Sequence, residues 1–97
     1  EPIRLFAPYV FPFEVFNVIQ TAVIRNRIMP NLAKKLGEKF LKIPIKLTEV
    51  DLIGVSSIAY ENVLTIYDAS YIYLSQNLNV PLFTLDERLK KLSRTEA

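Results

Sequence analysis

The chain has 97 residues, 51% of them apolar, with 12 Lys and Arg against 10 Asp and Glu, enough for one domain and one hydrophobic core. It contains neither His nor Cys, which excludes thiol nucleophiles, disulfide frameworks, His-based triads and the usual structural zinc sites, and leaves carboxylates with a bound metal as the leading catalytic chemistry. The charges are too evenly balanced to indicate a nucleic-acid partner by field alone, and no apolar run approaches the roughly 18 residues of a membrane span.

The opening Glu-Pro-Ile-Arg is not a secretory signal, so the reading is a soluble, cytoplasmic protein with no membrane partner. The one Met is Met29, and the N-terminal end is read as a cut edge. Ile3 to Ala7 reads as a short strand ended by Pro8, and the aromatic-rich link Tyr9 to Phe13 leads into a first helix over about Phe13 to Ile28. There Val15, Phe16, Ile19, Ala22 and Val23 recur at spacings of three and four and share one face, while Glu14, Asn17, Thr21 and Arg25 share another. Pro30 opens a second helix through Leu41, with Leu32, Leu36 and Phe40 inward and Lys34, Lys35, Lys39 and Lys42 outward.

Pro44 ends that helix, and Ile45, Leu47 and a more marginal Val50 form a strand, after which Thr48 or Asp51 starts a third helix reaching about Asn62. A fourth helix covers Ile66 to Leu78, followed by a strand Leu82 to Leu85 and a basic helix from Asp86 to about Ser93. Strands alternating with helices of ten or more residues imply an α/β fold around a parallel sheet rather than a helical bundle.

Two segments, Thr65-Ile66-Tyr67-Asp68 and Thr84-Leu85-Asp86-Glu87, fit the capping box, in which Thr accepts from an early helical amide and the acid favours the positive end of the helix dipole. Asp86 is less easily explained so, because Glu87 holds the box position and the loop after a parallel strand is where ligands bind in α/β sheets. Glu14, beside Phe13, Val15 and Phe16, is either an exposed first-turn acid or a carboxylate that requires a cation or partner. A hard dication such as Mg²⁺, with Mn²⁺ as the alternative, is the ordinary reason for carboxylates to gather.

The run Leu64 to Ile72 followed by Val80 to Leu89, with Phe13 to Ile19 upstream, resembles VapC-like PIN domains, the fold of magnesium-dependent toxin ribonucleases. The intervals, 54 positions from Glu14 to Asp68 and 18 from Asp68 to Asp86, also suit that family. The resemblance implies a three-layer α/β/α domain over residues 1–97, catalytic and metal-binding roles for Glu14, Asp68 and Asp86, an RNA substrate and an antitoxin partner. It also implies polar support from Thr84 and Asn17 and an RNA contact at Arg25. The structural alternatives are a helix cap for Thr84 and solvated helix positions for Asn17 and Arg25; Tyr67, Tyr71 and Tyr73 read as core or interface rather than base-stacking residues.

The family pattern has a further acid at the end of a first, central strand, and no residue upstream of Glu14 matches it. The expectation is therefore an incomplete domain lacking that strand, inactive as it stands and prone to form homodimers or larger species through open strand edges. The competing reading is a non-catalytic remnant that keeps the scaffold as a protein interaction module.

Overall fold

Pro12 stands where a missing N–H costs nothing, and the first helix starts around it. In the computed structural model, which describes residues 4–82, 89, 91 and 92, that helix is α1, Phe11–Ile24, with Pro12 in its first turn. The remaining elements are β1 (Leu5–Pro8) before it, then α2 (Pro30–Leu41), β2 (Ile45–Thr48), α3 (Leu52–Asn62) and α4 (Ile66–Leu78). The fold is α/β: β1 and β2 pair as a two-stranded parallel sheet, joined by a connection that carries α1 and α2. By contact density the chain divides into two compact units, Glu1–Leu47 and Thr48–Ala97.

In the first unit, α1 begins two residues before the expected start and ends four before the expected end. The physical reason is Asn26, which takes a left-handed φ of 58°. Arg27 N–H then donates to Ala22 O (2.8 Å) and Asn26 N–H to Val23 O (3.0 Å), the paired bonds of a Schellman turn. Asn accepts this conformation more readily than most residues, so the helix cannot run on to Ile28. Pro8 also departs from expectation: it is the last residue of β1 and is buried.

The α1/α2 contact is made of aromatic rings on a glycine. Phe40 of α2 meets Phe11 edge-on at 5.6 Å and Phe16 at 6.1 Å between ring centroids. A Cβ on Gly37 would lie 2.8 Å from Phe16 Cε2, so only glycine allows this approach. The inward face of α2 is thus Ala33, Gly37 and Phe40, whereas Leu32 and Leu36, expected inward, are exposed. That is a rotation of about one residue, set by the tertiary demand for a small residue under the ring. Phe16 is itself partly exposed, and α1 contains no buried residue.

The second unit is packed more fully. Asp51 is the N-cap of α3, its Oδ1 accepting from Ile53 N–H at 3.3 Å. Val55, Ala59 and Ala69 form the buried cluster between α3 and α4, with Val50, Ile58, Leu64 and Tyr73 against it. Val50 therefore belongs to this core and not to β2. Ile72 and Leu74 are buried as well, and the buried hydroxyls of Ser70 and Ser75 donate to Tyr67 O and Val80 O, both at 2.6 Å. Both hydroxyls therefore have a partner, which avoids a penalty of about 1–3 kcal/mol per group.

Helix α4 keeps the boundaries expected from sequence and ends at Asn79, whose φ of 55° again permits a Schellman turn, with Val80 N–H donating to Ser75 O at 3.0 Å. Helix α3 closes the same way on Val63, φ 53°, a β-branched residue in a region it strongly disfavours. Leu89, Lys91 and Leu92 are helical, in line with the expected basic helix, and Gln76 Nε2 donates to Leu92 O at 3.1 Å. The expected strand Leu82 to Leu85 lies outside the described residues except for Leu82, which is not in a strand. No helix among the described residues is long and apolar enough to cross a membrane.

Candidate functional site

Thr65 separates the two tasks that the sequence left merged in the segment Thr65 to Asp68. Its Oγ1 accepts from Asp68 N–H at 3.0 Å, so the N-terminus of α4 is capped through the backbone of Asp68. The reciprocal bond of a capping box, from Thr65 N–H to the Asp68 carboxylate, is not made among the described residues. The half-buried carboxylate keeps its acceptor capacity while standing in the first helical turn, where the helix dipole favours negative charge.

Glu14 occupies the corresponding place on α1. It lies in the first turn, half-buried, with its N–H donating to Val10 O at 3.1 Å. Its neighbour Phe13 points largely to solvent, so Glu14 stands at the border of an apolar surface rather than within one. Glu14 belongs to the first unit and Asp68 to the second. Asp86 and Thr84 lie outside the described residues. Among the described residues, no three Asp or Glu side chains are grouped so as to hold a metal ion.

Asn17 is exposed on α1 and shares a face with Thr21 and Arg25, at intervals of four, as the periodicity requires. Together with Val18, Ala22 and Arg27 these side chains line a groove of about 270 Å³. Thr21 was legible in the sequence as a member of that face. Arg27 was not, because a helix continued to Ile28 would put it about 200° from Arg25. The left-handed turn at Asn26 carries it back beside Arg25.

Of the tyrosines, Tyr73 packs on the α3/α4 core, where a Cβ on Gly54 would come within 2.9 Å of its ring. Tyr71 is half-buried and Tyr67 exposed. The core or interface reading holds for Tyr73.

Helices, a parallel strand pair and acids at two helix starts describe an α/β chain with carboxylate chemistry available. No protein-family model matches it. The chain is similar to the protein named ribonuclease VapC12 of Mycobacterium tuberculosis, in strains CDC 1551 and H37Rv, at 30% identity over 83 residues. The match covers 86% of this chain and 64% of the relative, so the chain spans somewhat less than two thirds of the length of the curated relatives it matches.

Proposed function

We propose that this chain is part of a VapC-like PIN-domain ribonuclease, the toxin of a toxin–antitoxin pair, acting on RNA with a divalent metal. The observation that carries this is the Asp68 carboxylate, without a protein partner among the described residues, at a helix start that Thr65 already caps and within the segment similar to a ribonuclease. The donor set fits Mg²⁺ or Mn²⁺, since Glu14, Asp68 and Asp86 offer hard carboxylate oxygens and the chain has no competing His or Cys. Those three acids would hold the metal, which when bound supplies an activated water and charge neutralisation at the phosphodiester. Thr84 and Asn17 are the polar neighbours that would orient it.

The test is cleavage of single-stranded RNA by the 97-residue chain, by a form extended at its N-terminus with an apolar strand ending in Asp, and by that form carrying Asp68→Asn. Little or no cleavage is expected from the chain as given, Mg²⁺-dependent cleavage from the extended form, and a loss of about a hundredfold or more with Asp68→Asn, because small displacements of metal, water and phosphate cost that much. Cleavage that persists in chelator or ignores Asp68→Asn defeats the proposal.

A second reading, an interaction module, is favoured by one feature of α1: Phe13, Val18 and Ile24 are 78, 70 and 68% exposed. Apolar surface of this kind recruits partners, whether an antitoxin or a second copy. Light scattering across the micromolar range decides the second copy; a monomer throughout removes it.

A further inference from the structure

The groove beside the last turns of α1 is lined by four groups able to donate hydrogen bonds and by no carboxylate: the guanidiniums of Arg25 and Arg27, the amide of Asn17 and the hydroxyl of Thr21. Arginines near a helix C-terminus ordinarily serve to satisfy its last carbonyls. Here three of those carbonyls are already taken by backbone donors: Thr21 O accepts from Arg25 N–H at 2.9 Å, Ala22 O from Arg27 N–H and Val23 O from Asn26 N–H. Both arginines are exposed, and neither guanidinium is paired with a carboxylate among the described residues. They are two cations lining one groove, brought to it by a backbone turn and not consumed by that turn.

The surroundings reinforce this. Residues 1–47 carry eight Lys and Arg against three Asp and Glu, while residues 48–97 carry four against seven, so the balanced total conceals a basic first unit. The groove has no aromatic wall on which a base could stack, and its 270 Å³ leaves room for a phosphate group. Guanidinium forks match phosphate oxygens, and Asn and Thr complete the donor set.

We infer that this groove is a phosphate-binding subsite in which Arg25 and Arg27, supported by Asn17 and Thr21, hold one backbone phosphate of single-stranded RNA. The inference rests on the ribonuclease reading and deepens it: contact through phosphate positions the strand and carries no sequence information. Binding through this subsite needs no metal.

The experiment measures binding of fluorescent single-stranded RNA in EDTA over a salt series for the 97-residue chain and for Arg25→Gln/Arg27→Gln. A control, Lys34→Gln/Lys35→Gln, removes the same charge from α2, away from the groove lining. The groove variant should lower the slope of log affinity against log salt by about 0.7, one phosphate on a single strand, equally for RNAs of different sequence. The control should lower it less, and Arg25→Lys/Arg27→Lys, which keeps the charge, should retain the parent slope and guards against misfolding of the Gln form. An unchanged slope in a parent that binds RNA, or an equal drop in the control, overturns the subsite while leaving the ribonuclease reading standing. A parent that binds no RNA in EDTA also overturns the subsite, while the ribonuclease reading is decided separately by the Mg²⁺-dependent cleavage of the extended form. Loss of binding to a poly-glutamate peptide with RNA binding intact assigns the groove to an acidic protein segment and overturns the RNA assignment.

Discussion

The two helical pairs of this chain solve the same packing problem to different degrees. In each, a helical glycine lets an aromatic ring from the other helix approach, Gly37 under Phe16 in α1/α2 and Gly54, in the first turn of α3, under Tyr73 in α3/α4. In the second unit that contact is surrounded by a buried cluster. In the first, α1 has no buried residue and its ring partner is partly in solvent. The second unit is acidic and well packed; the first is basic, open and grooved. One pattern of small residue and ring therefore does not fix how much stability it yields, because that depends on what else surrounds the ring.

The sharpest test of this contrast is truncation. Ile72, 1% exposed, should cost about 2–5 kcal/mol as Ile72→Ala, the usual loss for emptying a packed site. Ile24→Ala on the open face of α1 should shift stability by about 0.5 kcal/mol or less in the same urea titration. Similar losses at both positions would mean that α1 is covered in solution.

The glycines provide the next test. Gly54→Ala forces a Cβ against the Tyr73 ring inside a packed cluster and should destabilise by about 1–3 kcal/mol. Gly37→Ala gains about 0.5–1 kcal/mol of helix propensity, and the partly exposed Phe16 ring can swing outward to make room, so the net change should lie near zero. Thermal denaturation of the two variants reads the difference directly.

Helix ends give smaller effects. Thr65→Ala removes the bond to Asp68 N–H and should cost about 1 kcal/mol. Val63, 85% exposed and left-handed, loses little packing when replaced, so Val63→Gly should stabilise by about 0.5–1 kcal/mol. Asn26→Gly, at the equivalent turn of α1, should change much less, since Asn already tolerates the conformation. Equal responses at Val63 and Asn26 would remove the case for strain at the end of α3.

Much of this architecture follows from local chemistry. Pro30 and Pro44 bracket α2, Thr65 and Asn79 mark the two ends of α4, and the alternation of strand and helix gives the parallel α/β class, because caps, proline geometry and apolar period act within a few residues of chain. The candidate acids were legible for the same reason: an acid three residues after Thr at a helix start is visible in one dimension, though its two readings, cap or ligand, are not separable there. What required tertiary structure was anything decided across helices. The face of α2 turns on the need for Gly37 beneath Phe16, which outweighs the greater hydrophobicity of Leu32 and Leu36. The pairing of Arg25 with Arg27 turns on one left-handed residue, Asn26, that reverses the direction of the chain. The sequence by itself determined the alternation of strand and helix and the bounds of α2 and α4. Only the folded chain decided which Asp68 atoms the cap uses, which face of α2 is inward and which two cations share a groove, because each depends on the close approach of atoms that periodicity alone does not specify.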